Sequence, residues 1–304
     1  MEIKNFVGQK KNIETLKIYT EIAKKNNKKL QHVLLYGPPG NGKTTLAKII
    51  AKEMDEEIII INANNIKTKN DLLAIMGNID NKILFLDEIH RINKEISEEL
   101  YNILQSNKIN VLIGEEGYKK VYSIDISEFT LIGATTNPEM MLKPFLDRFP
   151  IKIKLANYSR NELQELVIRT LNIKIETNII LKIIIAGKYT PRIIINLCKQ
   201  INDLAQYYNL DKIDNINYIK LFKHLNLTKD GYDIEIIEQL NLIYQSFSEN
   251  FVGEQSILTV IDVNKKIYLE QIEPLLIKNN LLLKTKNGRK ITEKGIKILQ
   301  DFNH

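Results

Sequence analysis

The sequence has 304 residues, 44% of them hydrophobic and 26% charged, a globular composition that excludes a wholly disordered or fibrous chain. Its net charge of +6 permits a polyanionic partner without requiring one. One cysteine, Cys198, excludes an internal disulfide, and no apolar run approaches the roughly 18 residues of a membrane span. With no signal-peptide pattern at the start, a soluble, cytoplasmic protein is expected.

The first half of the chain alternates between strand and helix patterns. Residues 10–29 have the spacing of an amphipathic helix. The predicted strands are 33–36, 57–62, 82–86 and 129–133, and the predicted helices are 44–54, 70–76 and 94–105. Such alternation is typical of an α/β fold whose parallel sheet is covered by helices on both faces.

The pattern changes near residue 157. From Ser159 to about Leu225 every periodic segment is helical, and no strand pattern is present. Ser159 and Glu162 have the spacing of a capping box at the start of the first helix. A small all-helical domain is therefore expected here.

The last region combines three predicted helices, 233–248, 254–262 and 265–279, with a hairpin signal. Asn287-Gly288 separates two β-prone runs, which indicates a tight turn and a winged helix-turn-helix. Between residues 278 and 297 there are seven cations and one acid, Glu293. A basic wing suits the DNA backbone; the alternative is a solvated lysine-rich hairpin.

The segment GPPGNGKT, from Gly37 to Thr44, matches a phosphate-binding loop between a predicted strand and a predicted helix. Its glycines allow backbone amides to turn toward an anion, and the helix N-terminus adds positive potential. Lys43 is placed to reach the β- and γ-phosphates of ATP, and the Thr44 hydroxyl to hold Mg²⁺. The predicted nucleotide contacts here are Pro39, Gly40, Asn41, Gly42, Lys43, Thr44 and Thr45.

A second motif, Asp87-Glu88, ends the apolar strand that follows 44 residues after Lys43. Asp87 is expected at the carboxyl edge of the sheet, where it can hold Mg²⁺ through water. Glu88 is placed to polarise an attacking water, so the expected reaction is hydrolysis rather than transfer to a substrate.

Arginine is scarce in this lysine-rich chain, so its positions are informative. Arg148 lies in a proline-bracketed turn, and its chemistry leaves two interpretations open: a surface pair with Asp147, or an arginine finger that reaches the γ-phosphate held by a neighbouring subunit. Arg192 follows Thr190-Pro191 at a helix start, where a cation opposes the helix dipole unless an anion such as nucleotide phosphate compensates. A solvated Arg192 is the alternative.

Seven stretches resemble the RuvB family of AAA+ ATPases, the motors of Holliday-junction branch migration, and together they cover essentially the whole chain. They are residues 6–9 (FVGQ), 32–40 (HVLLYGPPG), 87–93 (DEIHRIN), 131–136 (LIGATT), 147–149 (DRF), 190–192 (TPR) and 273–276 (EPLL). The DEIHR run and the TPR helix start are much more specific than the generic phosphate loop.

The resemblance implies three domains: an AAA+ ATPase domain over 1–156, a small helical lid domain over 157–227 and a winged-helix DNA-binding domain over 228–304. It also assigns positions. Arg148 falls on the arginine finger, Thr135 and Thr136 on the strand end that senses the γ-phosphate, and Arg192 on the lid arginine. Val7 and Gly8 fall beside the adenine, and Tyr158 on the nucleotide-binding aromatic after the last strand of the ATPase domain. Lys284 and Arg289 fall on two DNA-contacting positions of the wing.

The activity implied is that of an ATP hydrolase acting as a 5′–3′ helicase-type DNA motor for branch migration in recombination, repair and the SOS response. ATP and Mg²⁺ are its expected cofactors, and a homohexamer around DNA its expected assembly. Its expected partners are duplex DNA, four-way junctions, RuvA, docked on hairpin 109–124, and RuvC in a larger complex. The alternatives are a clamp-loader-type AAA+ protein and a DNA-binding regulator whose ATP site is only a switch.

Overall fold

The computed structural model describes residues 3–113, 118 and 120–303. The chain divides into two compact units, Met1–Glu162 and Leu163–His304. No helix among the described residues is long and apolar enough to cross a membrane.

A five-stranded parallel sheet forms the centre of the first unit. The strands of this unit are β1 (Val33–Tyr36), β2 (Glu57–Asn62), β3 (Lys82–Asp87), β4 (Lys108–Ile113), β5 (Lys120–Asp125), β6 (Thr130–Thr135) and β7 (Ile151–Lys154). The sheet order is β2-β3-β6-β1-β7, while β4 and β5 pair separately as an antiparallel hairpin. The carboxyl ends of β3, β6 and β1 therefore lie side by side, which is where open α/β sheets place their ligands.

Helices cover both faces of this sheet, which confirms the predicted α/β fold. They are α1 (Lys10–Lys25), α2 (Lys43–Met54), α3 (Lys69–Met76), α4 (Lys94–Ser106) and α5 (Lys143–Leu146). Successive residues of a strand point to opposite faces. Val33 and Leu35 accordingly pack in the core with α1 and α2, while Leu34 packs in the core with α3 and α4.

The second unit begins with helices α6 (Arg160–Thr170, whose first residues belong to the first unit), α7 (Thr177–Ala186), α8 (Pro191–Tyr207) and α9 (Tyr218–His224). The prediction that this region has no strand is wrong, because β8 (Lys174–Ile175) and β9 (Lys212–Ile213) form a short parallel pair. Two-residue strands are too short to produce an alternation that the sequence could show.

The rest of the second unit is a winged helix, as predicted. It comprises α10 (Ile234–Phe247), α11 (Glu254–Val260), α12 (Lys265–Ile267), a π-helical turn (Tyr268–Ile272), α13 (Glu273–Lys278), the hairpin β10 (Leu282–Thr285) and β11 (Gly288–Ile291), and α14 (Glu293–Asn303). The helix predicted over 265–279 is thus interrupted. Pro274 has no amide hydrogen to continue the helical ladder, and a π turn precedes it.

His32, just before β1, makes the stability of the first unit depend on pH. Its Nδ1 accepts a hydrogen bond from the Leu131 amide at 3.0 Å, and burial lowers the pKa of His32 from 6.5 to about 4. Between these values the unfolded chain binds a proton that the folded chain does not. The free energy of unfolding should therefore fall by about 1.4 kcal/mol per pH unit as the pH drops through this window.

Urea unfolding of the wild type and of His32→Gln, followed from about pH 7 to about pH 5, measures this effect. We expect the variant, which has no group titrating at this position, to give the flatter profile. Equal slopes for the two proteins would contradict the assignment.

Candidate active site

The phosphate-binding loop connects β1 to α2, and its backbone geometry requires glycine. Gly37, Gly40 and Gly42 have φ values of 141°, 78° and 96°. A Cβ on Gly37 would lie 2.3 Å from the carbonyl oxygen of Leu155, so no side chain fits there. Thr44 and Thr45 occupy the first turn of α2, behind the loop. The predicted loop therefore has the backbone that an anion cradle needs.

Lys43 is buried, and its side chain turns back into the loop. Its Nζ donates hydrogen bonds to the carbonyl oxygens of Gly37 at 2.8 Å and Pro38 at 3.1 Å. Burial lowers the pKa of Lys43, while the nearby charges of Glu88 and Asp87 act in the opposite direction. An ammonium group held inside a glycine-rich loop at a helix N-terminus fits the phosphates of a nucleotide.

The acidic pair lies at the end of β3, where the sheet order brings it beside β6. Asp87 Oδ1 accepts a hydrogen bond from the Glu88 amide at 3.0 Å, and Glu88 has a left-handed backbone with φ 52°. Glu88 Oε2 lies 3.5 Å from Thr136 Oγ1 and 3.3 Å from His90 Nδ1. The predicted catalytic carboxylate, Glu88, and the predicted γ-phosphate sensor, Thr136, therefore lie side by side.

His90 packs beside this pair. Its Nδ1 also lies 2.8 Å from the hydroxyl of Thr135, and its side chain is 5% exposed. Thr135 Oγ1 in turn accepts from the Asn137 amide at 2.9 Å. The histidine thus links the end of β3 to the end of β6 and helps to fix the position of Glu88.

The N-terminal segment closes the other side of the loop. Gln9 Nε2 and Asn41 Nδ2 both donate to the carbonyl oxygen of Ala156, at 2.8 and 2.9 Å. Gly8 approaches Tyr158 so closely that a Cβ on it would lie 2.8 Å from the ring, and Val7 is buried beside it. The predicted nucleotide contacts Val7, Gly8 and Tyr158 are therefore neighbours, and burial raises the pKa of the Tyr158 hydroxyl.

Two contributors to this corner were not predicted from the sequence. A Cβ on Gly42 would lie 2.9 Å from the ring of Phe6, so this aromatic packs directly against the phosphate loop. Glu162 Oε2 accepts from the Ser159 amide in the predicted capping box, and its Oε1 accepts from the Gln9 amide at 3.2 Å. The only signals for them were the FVGQ stretch and the capping-box spacing, which do not reveal these long-range contacts.

Arg148 lies just after α5 and reaches α4 rather than its neighbour Asp147. Its Nη2 donates to Tyr101 Oη at 2.8 Å and to Gln105 Oε1 at 3.0 Å, and the guanidinium lies 4.5 Å from the centre of the Tyr101 ring. Asp147 is instead 4.0 Å from Lys152 Nζ. Among the described residues, the buried Nε of Arg148 has no hydrogen-bond partner. The role of Arg148 as an arginine finger stays a prediction.

Arg192 is exposed in the first turn of α8, in the second unit. Thr190 is the N-cap and Pro191 the first helical residue, as predicted. The Thr190 hydroxyl, however, donates to the Lys188 carbonyl at 3.2 Å and makes no capping bond. The α8 N-terminus therefore carries a cation and lacks a side-chain cap, and nucleotide contact by Arg192 stays a prediction.

The two predicted DNA contacts lie opposite each other on the wing, Lys284 on β10 and Arg289 on β11. The two side chains differ in their exposure to solvent. Lys284 is 47% exposed and lies 2.7 Å from Glu273, whereas Arg289 is buried, with 10% of its side chain exposed. Arg289 shares the inner face of β11 with buried Ile291, because alternate residues of a strand face the same way.

The hairpin predicted as the RuvA-docking element is confirmed as a hairpin, β4 and β5. Residues 114–117 and 119, between β4 and β5 in the sequence, lie outside the described residues. Its described part exposes apolar side chains, with Val121 66%, Tyr122 49% and Ile124 44% exposed. Its binding partner stays a prediction.

Comparisons with known proteins cover both ends of the chain. Residues 1–155 match the family described as "Holliday junction DNA helicase RuvB P-loop domain", and residues 229–300 match the "RuvB C-terminal winged helix domain". A RuvB subunit of the Holliday junction branch migration complex from Mycoplasmopsis pulmonis is 35% identical over 97% of this chain and 95% of its own. The corresponding subunit from Mycoplasmopsis synoviae is 38% identical over 97% and 94%.

A solved structure agrees with these matches. The Thermotoga maritima RuvB Holliday junction branch migration motor has a TM-score of 0.73 and 33% identity over 98% of this chain and 97% of its own. Since matches of this extent reach from the phosphate loop to the wing, the chain belongs to the RuvB family.

Proposed function

We propose that this protein is an ATP-hydrolysing DNA motor that drives branch migration of four-way junctions. The observation that carries the proposal is the convergence of the Lys43 loop, the Asp87-Glu88 pair and Thr136 at one edge of the sheet, in a chain that also has a winged helix. We also propose that the chain has three domains, over residues 1–156, 157–227 and 228–304, and that it assembles as a homohexamer. In this proposal the protein works in the cytoplasm with RuvA and RuvC and takes part in the SOS response.

In this proposal the loop amides and Lys43 bind the triphosphate, and Lys43 exchanges its bonds to loop carbonyls for phosphate oxygens. Thr44 and Asp87 hold Mg²⁺, which supplies charge neutralisation when bound. Glu88 orients the attacking water and accepts its proton, while Thr136 and His90 restrict the position of its carboxylate.

Five further predicted residues complete the proposed site. Val7, Gly8 and Tyr158 flank the base, and Arg192 approaches the phosphates. Arg148 acts in a neighbouring protomer's site, where its charge stabilises the transferring phosphoryl group. In the single chain Arg148 donates hydrogen bonds to Tyr101 and Gln105 of α4.

The test follows ATP-dependent dissociation of a synthetic four-way junction with the cognate RuvA present. We expect the wild type to dissociate the junction and Lys43→Ala to be inactive, because the buried ammonium that binds the phosphates is gone. Lys48→Ala removes an exposed lysine from the same helix and should match the wild type.

A wild type that hydrolyses ATP but leaves the junction intact with its partner present would favour the clamp-loader-type alternative. A protein that binds ATP without steady-state turnover would favour the regulator in which ATP is only a switch. Either result would contradict the motor proposal.

A further inference from the structure

One buried arginine fixes the wing, the hairpin of β10 and β11, to the helices of the winged-helix fold. Arg289 Nε donates to Glu273 Oε1 at 2.6 Å, and its Nη2 donates to Glu254 Oε2 at 2.9 Å. Glu254 is the first residue of α11 and Glu273 the first of α13. The guanidinium therefore joins the wing to the starts of two helices.

Glu273 is the centre of this arrangement, with 4% of its side chain exposed. Its second oxygen, Oε2, accepts a hydrogen bond from Lys284 Nζ at 2.7 Å. Burial alone would raise the pKa of Glu273, but the hydrogen bonds from Arg289 and Lys284 bring that pKa below its ordinary value. The carboxylate is thus ionised in the protein interior, and it depends on Arg289 for compensation.

The backbone at this position is fixed as well. Arg289 and Val252 exchange two hydrogen bonds, each amide donating to the other's carbonyl oxygen at 2.8 Å. A Cβ on neighbouring Gly288 would lie 2.4 Å from the Val252 oxygen, so the wing approaches this segment more closely than any side chain would allow. The start of β11, next to the turn of the wing, has little freedom to move while these contacts hold.

We propose that Arg289 acts on DNA as a positioning residue, holding the wing through Glu273 and Glu254, while the wing's exposed cations, among them Lys286, contact the phosphates. This inference rests on the proposed function, since it takes the wing as a DNA-binding element. To reach a phosphate itself, Arg289 would have to break two charge-assisted hydrogen bonds and leave buried Glu273 with Lys284 as its remaining cationic partner. Lys286, at the exposed turn, needs no such rearrangement.

A double-mutant cycle on the full chain tests the proposal through duplex binding measured over a range of salt concentrations. Arg289→Gln removes the buried one of the two cations that pair with the Glu273 carboxylate, so we expect a lower melting temperature and roughly tenfold weaker binding. Arg289→Gln with Glu273→Gln removes both charges and lets two amides pair. We expect this double variant to recover the melting temperature and most of the affinity, with the salt dependence of the wild type.

Lys286→Gln is the matched control for a true phosphate contact. It should weaken binding and lower the slope of log K against log salt by about 0.9 without changing the melting temperature. Arg289→Lys adds an independent comparison, because it keeps the charge but lacks the fork that engages two carboxylates. Weaker binding by Arg289→Lys supports the positioning role, and wild-type binding by it overturns that role.

The proposal is also overturned if the double variant binds as weakly as Arg289→Gln and its salt slope falls by the same amount as that of Lys286→Gln. That result would make Arg289 itself the phosphate contact. A wild-type protein that does not bind duplex DNA would instead contradict the proposed function, and this arm is measured first.

Discussion

Arg148→Ala should lower ATP turnover of the assembled protein about a thousandfold or more, while nucleotide affinity stays close to that of the wild type. A guanidinium supplied to a neighbouring site stabilises charge that develops in the transition state, so its loss affects the rate rather than ground-state binding. Turnover and binding of a fluorescent ATP analogue, both measured at protein concentrations that maintain the assembly, check the two halves of this prediction.

Mixing two inactive variants tests whether the arginine acts between protomers. A Lys43→Ala protomer cannot bind the triphosphate but retains Arg148, and an Arg148→Ala protomer has the reverse defect. Mixed rings should regain turnover where a Lys43→Ala protomer presents its arginine to an intact loop. If mixtures regain none while isolated single subunits of the wild type are fully active, hydrolysis does not need a neighbour.

Tyr101→Phe is the control for the position of Arg148 in the single chain. It removes the hydroxyl that Arg148 Nη2 contacts at 2.8 Å but keeps the ring beneath the guanidinium. Since the ring contact remains to position the guanidinium, we expect turnover close to that of the wild type. A loss as large as that of Arg148→Ala would show that the Tyr101 hydroxyl is needed to position Arg148.

The sequence predicted the phosphate loop and four of the five sheet strands because their signals are local and strong, whereas β7 was not among the predicted strands. β1 (VLLY) and the middle of β6 (LIGA) are apolar, and a glycine-rich loop followed by Lys43 has few other interpretations. The strand order was not predictable from these patterns. It is set by which strands pair across long sequence separations, and it is this order that brings Glu88 to Thr136.

The wing shows what a charge pattern fails to reveal. Counting cations over residues 278–297 treats Lys286 and Arg289 alike, yet one is exposed and the other is buried against Glu273. The alternation of β11, with Ile291 on the inner face, was a signal that Arg289 points inward. The acids that receive it are 16 and 35 residues away, at two helix starts, and no local pattern identifies them.

Glu88→Gln should reduce ATP turnover by about a hundredfold to ten-thousandfold, the usual contribution of a general base, and leave ATP binding intact. Glutamine has nearly the same shape, and its amide oxygen can still accept a hydrogen bond from Thr136, which lies 3.5 Å from Glu88 Oε2. The substitution therefore removes the proton acceptor and keeps the surrounding packing. Single-turnover hydrolysis and analogue binding separate the two effects.

Glu98→Gln is the matched control, because Glu98 is an exposed acid whose partner, Lys94, lies 3.8 Å away on the same helix. Surface pairs of this kind contribute little, so turnover should stay within about twofold of the wild type. A Glu88→Gln protein that keeps more than roughly a tenth of the turnover would assign the base elsewhere. His90 would then be the first candidate, since its Nδ1 is 3.3 Å from Glu88 Oε2 and bridges to Thr135.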